Sequence, residues 1–475
     1  MKKLCVCLAL LLILIGTFGC AKEEEIVAPI LSVGYGKADI TPTTSLPLDG
    51  YGTTGANAAK NRWSTAQETP FSAICIAFTD ADDKTVLFMT LDLLNAYMAD
   101  GMRAAISKDT GVPKEQIMFQ CTHNHSGPAL RMSSKPEVAE YLGQLTQGVL
   151  EAARAALADR KPATQMFTTF SRPEGINSVR HYLLENGTYA GDNFGSFKSA
   201  PIASHETDAD NQLQLVCFNR ETSADIILAN FQTHPHRESS STNTNVTADI
   251  IAPFREKMEA TIGCHFAYFT GASGNINPTS RIEEENVTRN YIEQGHALAD
   301  YAIAAYSTFQ EIPTTSVKIT KTMYKAKVDH TYSRWGKTAV DAIAYYMQNG
   351  DLGVFKTLLK DSGIKNVYQL NAVGIRSTMP QEYEIPIYAV SLGDLAFVTV
   401  PFEMFDTNGM QIKEGSPFSM TFVLTCANTN LSYLPSELAF KHGGYAVDVT
   451  LFVRGTAEGL VASYLDMLDS LYYGK

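Results

Sequence analysis

Two histidine pairs hold the most evident chemistry in this 475-residue sequence. "CTHNHSG" carries His123 and His125, and "FQTHPHRE" carries His234 and His236, each pair spaced i, i+2. In an extended backbone that spacing puts both rings on one face. Four of the ten histidines thus fall in two matching motifs. Neutral imidazoles joined by a carboxylate hold zinc with one position left open for water, and such a site brings the pKa of that water to near 7. A Glu, Asp or Tyr from elsewhere in the chain must then complete the set. Taken one at a time, each pair also reads as structural histidines in a polar turn. "TGASGNINPTS" is rich in small residues, so its backbone can approach a ligand closely and its amides could form an oxyanion hole; a plain loop fits equally. Glu403, in "VTVPFEMF", reads as a first-turn helix residue or as a ligand.

The elements that must position these residues alternate. "TVLFMTLDL", "EQIMFQ", "NQLQLVCFN", "ADIILANFQT", "HFAYFTG" and "TFVLTCAN" read as strands, and "YEIPIYAVSLGDLAFVTV" as a hairpin around Gly393-Asp394. Helical spacing appears over 97–109, 137–160, 249–263, 283–307, 337–361 and 457–472. This alternation predicts an α/β fold, with helices against a mixed, mostly buried sheet. No repeat, low-complexity tract or linker divides 34–475, which reads as one large domain. "CTHNHSG", "THPHRE" and "GASGNINP" each follow an apolar strand-like run. Strand C-termini are where open α/β sheets build their sites, and this shared placement is stronger evidence than any single motif.

Composition excludes some classes. The chain is 45% hydrophobic and 19% charged, as packed domains are. A net charge of −12 without a basic block argues against nucleic acid as a partner. "MKK" followed by "LCVCLALLLILIGTFG" has the form of an export signal, residues 1–19, too short for a comfortable membrane span. It ends at Gly19-Cys20, which resembles a bacterial lipoprotein cleavage site, and "AKEEE" follows in an acidic tether over 20–33. The expectation is a chain anchored through lipid on Cys20 to the cell envelope, at the inner or the cell-surface side of the outer membrane. The other cysteines, Cys75, Cys121, Cys217, Cys264 and Cys426, are scattered without a CxxC pair and read as small core residues.

Several of these motifs together resemble the catalytic domain of the neutral/alkaline ceramidases. "VGYGKADITP" with "PLDGYG" is similar to the family's opening, and "THNHSGP" to its "THTHSGP". "ILANFQTHPH" with "TADIIAPFREKME", "FTGASGNINP", "VTVPFE" and "LSYLPSELAFKHGGYAV" follow in the family's order across about 35–460. The resemblance implies a neutral-ceramidase-like fold and a Zn2+-dependent hydrolase in which metal-activated water cleaves an amide, in an N-acyl sphingosine-type lipid or a related substrate. Carried over by motif, the metal ligands are His123, His234, Glu403 and Tyr433. His125 and Arg180 handle the substrate carbonyl, Tyr445 lines the pocket, and Asp92 and Asp249 orient ligands.

The chain departs from the family at three positions. Asn277 stands where the family carries a serine, Asn275 where it carries an aspartate, and Phe402 where it carries a glycine. The expected fold also lacks the C-terminal Ig-like β-sandwich of enzymes that cleave ceramide. These departures leave open a hydrolase of another amide or ester, and a surface lipoprotein that binds without turnover.

Overall fold

The computed structural model describes residues 31–51, 62–192, 194–238, 240, 242–285, 287, 289–314, 316–349 and 353–474. The export segment, Cys20 and most of the tether lie outside these residues, and the first strand already begins at Leu31.

Nine strands form the main sheet: β1 (Leu31–Asp39), β2 (Ser72–Asp80), β3 (Thr85–Leu91), β4 (Ile117–Cys121), β5 (Lys161–Ser171), β6 (Leu213–Arg220), β7 (Ile226–Phe231), β8 (His265–Thr270) and β9 (Gln310–Ile312). Their order is β8-β7-β6-β5-β1-β2-β3-β4, with β9 also paired to β5. A second sheet, in chain order, holds β10 (Val317–Lys327), β11 (Glu382–Leu392), β12 (Leu395–Val400) and β13 (Met420–Thr425). The mixed α/β architecture is as the sequence predicts, but the second sheet covers one face of the first. Alternation along β2 and β3 explains why. Ile74, Ile76, Phe78, Val86 and Phe88 point inward against Val390, Phe397 and Phe422 of the second sheet. Ala73, Cys75, Ala77, Leu87 and Met89 point outward under helices. Strands apolar on both faces need a cover on each side.

The helices supply the outer cover. Val138, Tyr141, Leu145, Val149, Ala152 and Ala156 form the buried stripe of α2 (Pro136–Ala158) over β1 and β2. Gly34 and Gly36 allow it to lie there. A Cβ on either would stand 2.0 Å from a carbonyl oxygen, of Ala156 and Ala152 respectively. That is the physical content of "VGYGKAD". Two shorter helices, α1 (Ala99–Thr110) and α3 (Ile251–Ile262), cover the same side, and α4 (Tyr291–Ala305) packs beside α3. The helix expected over 283–307 starts only at Tyr291, because Asn290 and Glu293 form a capping box. The one expected over 337–361 is two helices, Gly336–Asn349 and Gly353–Ser362. The C-terminal helix Thr456–Tyr473 closes the outer face of the second sheet, and the described residues contain no further β-sandwich. No described helix is long and apolar enough to cross a membrane. All five cysteines among the described residues are free and buried.

One connection recurs three times. A hairpin is followed by a helix and then by a strand parallel to the hairpin's second strand. The units are β2-β3-α1-β4, β6-β7-α3-β8 and β11-β12-(Asp406–Gly415)-β13. The buried amide of Gln120, on β4, joins them. Its Nε2 donates to the Thr270 carbonyl at the end of β8 and to the Thr425 carbonyl at the end of β13, each at 2.7 Å. Gln120→Leu removes the donor from both buried carbonyls. We expect a loss of roughly 2–5 kcal/mol in urea unfolding. A change within the roughly 0.5 kcal/mol typical of surface substitutions would show that Gln120 does not tie the units together.

Candidate metal centre

Three side chains come from the three units, each just beyond a strand of a parallel pair. His123 follows β4, His234 follows β7 and Glu403 follows β12. In each case the loop after the neighbouring parallel strand orients it. His123 Nδ1 donates to the Leu94 carbonyl at 2.9 Å, and His234 Nδ1 donates to the Ile276 carbonyl at 2.8 Å. Glu403 Oε1 lies 3.5 Å from the Asn430 amide nitrogen. A carbonyl accepts only, so both Nδ1 atoms carry the proton and both Nε2 lone pairs face inward. Glu403 Oε2 stands 3.3 Å from His123 Nε2 and 3.6 Å from His234 Nε2. All three of these inward atoms are buried without a hydrogen-bond partner.

His125 stands beside them, its ring centroid 5.2 Å from that of His123 and 5.5 Å from that of His234. The potential ligand nitrogens of His123, His125 and His234 lie within 4.8 Å of one another. Unlike the other two, His125 has both ring nitrogens buried and unpartnered. Its backbone is held by Arg62, which donates 2.9 Å bonds to the carbonyls of His125, Ser240 and Asn243 and so ties the two histidine loops together. Gly50, of "PLDGYG", lies against the His125 side chain. His236 completes a group of four rings, 5.2 Å from His125 and 5.3 Å from His234.

The charges suit a cation. Burial pushes His234 down to about 3 and His236 to about 4, and takes His125 well below its usual value with help from the neighbouring rings. Burial opposes ionisation of Glu403, but His123 and His234 outweigh it and hold the carboxylate charged. Burial also acts on His123, where Cys426 and Glu403 outweigh it and raise the pKa. Backbone strain gathers at the same place. Of the seven described non-glycine residues at positive φ, His123, Asp249, Cys426, Asn428 and Ser432 lie in or beside the loops that build the centre.

The remaining expected residues divide. Tyr433 pairs with Glu403 on a two-residue ribbon, Glu403–Met404 with Tyr433–Leu434. The Arg180 guanidinium lies 5.3 Å from the Tyr433 ring centroid. Burial opposes the Arg180 charge, but Tyr433, Asp192 and Glu403 outweigh it. Tyr445 packs edge-on against Tyr433 at 5.5 Å, a wall position. Asn277 borders the rings, with its Nδ2 2.9 Å from Asp192. Asp249 receives the amides of Arg237 and Glu238 at 3.0 and 2.8 Å, so it shapes the loop after His236 and bonds to neither His123 nor His234.

One expectation needs correction, and two open points are narrowed. Asp92 orients no ligand; it forms a buried two-pronged ion pair with Arg255 at 3.0 Å, because α3 lies over the strand end that carries it. Phe402, which stands where the resembling family carries a glycine, packs its ring in the core against Phe452, 5.6 Å away. In "GASGNINP" the amides of Gly271, Gly274 and Ile276 donate to backbone carbonyls, so these three are not free to serve an oxyanion hole. Sequence reasoning missed Asn430, Arg62 and Asp192. The polar run "CANTN" after a strand was a signal for Asn430; nothing local marks the other two.

No protein-family model and no curated protein matches the chain in sequence. Its fold is similar to that of neutral ceramidase from Pseudomonas aeruginosa, with a TM-score of 0.68 at 15% identity over 94% of this chain and 75% of that one. A structure described as ceramidase complexed with C2 is similar too, with a TM-score of 0.68 at 16% identity over 94% and 76%. The chain therefore has a neutral ceramidase-like fold.

Gly50 provides a test of the packing. At φ +102° a Cβ would stand 2.6 Å from His125 Cβ. Gly50→Ala should lower stability by roughly 1–3 kcal/mol in denaturant unfolding. Gly101→Ala on α1, with nothing within 4 Å, is the control and should be neutral or slightly stabilising. Equal effects of the two would refute the tight seat proposed for His125.

Proposed function

We propose that this protein is a metal-dependent hydrolase of amide bonds that uses its ceramidase-like scaffold to hold zinc through His123, His234, Glu403 and Tyr433. The observation that carries the reading is the convergence of His123 Nε2, His234 Nε2 and Glu403 Oε2, all buried and without partners. Two lone pairs and a carboxylate oxygen repel at such range unless a positive charge lies among them. N and O ligands at about 2.0–2.1 Å on a tetrahedron sit roughly 3.3 Å apart, and the observed separations are 3.3 and 3.6 Å. The residues present therefore fit zinc. Bound zinc would supply Lewis acidity, polarising an acyl oxygen and lowering the pKa of water.

The other side chains divide the remaining work. His123 and His234 each spend one nitrogen on a backbone carbonyl, whereas His125 spends neither. His125 is thus the ring able to hold or pass a proton at the substrate. Arg180, kept charged, faces the same wall and can bind an oxygen on which negative charge develops. Tyr445 and Tyr433 shape the pocket side toward the helix Val367–Arg376, through Tyr368.

The substrate class follows from the scaffold's likeness to ceramidases: the amide of an N-acyl sphingoid lipid or a related molecule. Asn277 supports a second reading, hydrolysis of another amide or ester, because a carboxamide is a poor nucleophile where the family has a serine. A binding protein without turnover loses one of its two motives, since Phe402 lies in the core. We also infer export and lipid attachment at Cys20; incorporation of labelled fatty acid that persists in Cys20→Ala would refute this.

Metal analysis and an N-acylsphingosine hydrolysis assay test the function together. The full chain should hold one zinc, and His123→Ala and Glu403→Gln should lose most of it. His125→Ala should keep the metal and lose about 10²–10⁴-fold in rate. A wild-type chain without zinc would overturn the metal assignment. Zinc bound with no amide cleaved would overturn the hydrolase.

A further inference from the structure

Asn277 has a fixed orientation that the chain's chemistry explains. Its Nδ2 lies 2.9 Å from Asp192 Oδ2. A carboxylate can only accept, so the NH2 end of Asn277 faces Asp192 and the carbonyl end faces the other way. Asp192 also meets Arg281 at 3.4 Å. Burial works against the Asp192 charge, but Arg180, Asn277 and Arg281 outweigh it and keep it ionised. A neutral Asp192 would let the Asn277 amide turn over; an ionised one does not.

The consequence is an oxygen without a partner. Asn277 Oδ1 is buried and accepts no hydrogen bond. His236 interacts with Asn277, yet the geometry leaves Oδ1 unsatisfied. Asn277 directly follows Ile276, whose carbonyl fixes His234, so its side chain sits on the ribbon that borders the centre. An acceptor buried at the edge of a reaction site calls for a donor on the substrate.

We propose that Asn277 Oδ1 accepts the N–H of the scissile amide, with Asp192 as the positioning residue that locks it, so that the site selects secondary amides over esters. This rests on the hydrolase reading and names its substrate class more closely. Arg180 can bind the acyl oxygen, which amide and ester share and which zinc would polarise if held by the centre. The group that differs is N–H against the ester oxygen. In an ester that oxygen would oppose Asn277 Oδ1, acceptor against acceptor, with the buried carbonyl still unpaired. Asn277 neither gives nor takes a proton. Water supplies hydroxyl to the acyl carbon and a proton to the nitrogen; the C–N bond breaks, and the original N–H stays on the amine product.

The test compares N-acetylsphingosine with its ketone isostere, in which CH2 replaces the N–H. Binding to the full chain is read by rapid mixing, ahead of turnover. Wild type should bind the amide at least tenfold tighter. Asn277→Ala and Asp192→Asn should bring the ratio to within about twofold of one. Asp192→Asn leaves Asn277 in place, so it separates orientation from simple loss of the residue. A wild-type ratio near one, no binding of either probe, or a preference unchanged in both variants would overturn the proposal. Zinc content measured on the same preparations separates the two readings. Missing zinc with the preference intact refutes the metal assignment alone, and a ratio near one with zinc bound refutes only the role of Asn277.

Discussion

The buried amide of Gln120 links the three units that build the centre. It stands on β4, two residues before Thr122, and donates to the last carbonyls of β8 and β13. Thr270 Oγ1 returns a 2.8 Å bond to the Thr122 carbonyl, and Thr425 Oγ1 one of 2.6 Å to the Gly271 carbonyl. Parallel strands cannot pair their last residues across a gap between sheets, so side chains must satisfy those ends. This polar layer does that directly beneath His123, His234 and Glu403. Because each unit delivers one of them, the inward atoms can be no better placed than the ends are aligned. Position here is a property of two sheets rather than of any one loop.

The same arrangement explains how the centre carries its charge. One carboxylate faces three histidines that burial drives toward neutrality. Such a set has one negative charge and several lone pairs, and lacks one positive charge. Left as it is, the cluster keeps polar atoms unpaired, which is costly in a site of low dielectric. His123 at φ +68° adds backbone strain to that cost. Both are borne by the packing around them: Arg62 across the two loops, the Leu94 and Ile276 carbonyls on the rings, and Gly50 behind His125.

Much of this was legible in the sequence, for local reasons. Strand ends, the hairpin at Gly393-Asp394 and the long helix over 137–160 follow from periodicity, and the histidine motifs stand out because they sit at such ends. What was hidden depends on contacts between distant residues. Gln120 looks like one more member of an apolar run, since its partners lie 150 and 305 residues away. Of the second sheet only a hairpin and a last strand were read, without β10 and without its place over the first sheet, because the register between the sheets is not written in either. Asp92 was given to the centre only as what the family resemblance implies. Only the fold reveals that Arg255 reaches it first. The resemblance already separates His123 from His125; the carbonyl that one has and the other lacks gives a physical reason for the difference.

The two asparagines of "GNINP" now differ in kind. Asn275 donates to Asp406 Oδ1 at 2.7 Å and accepts the Asp406 amide at 2.9 Å. Burial raises Asp406 to about 6, and the Asn275 bond works against that rise. An aspartate at 275 would set two buried carboxylates against each other, and one would have to take up a proton. The amide at 275 thus goes with Asp406 and concerns the scaffold. At 277 no such reciprocal partner exists. Asp192 takes the donor end and leaves the acceptor end turned away from it and unpaired. On the role proposed for it, a carboxamide at 277 holds an N–H rather than attacking a carbonyl, as a hydroxyl could.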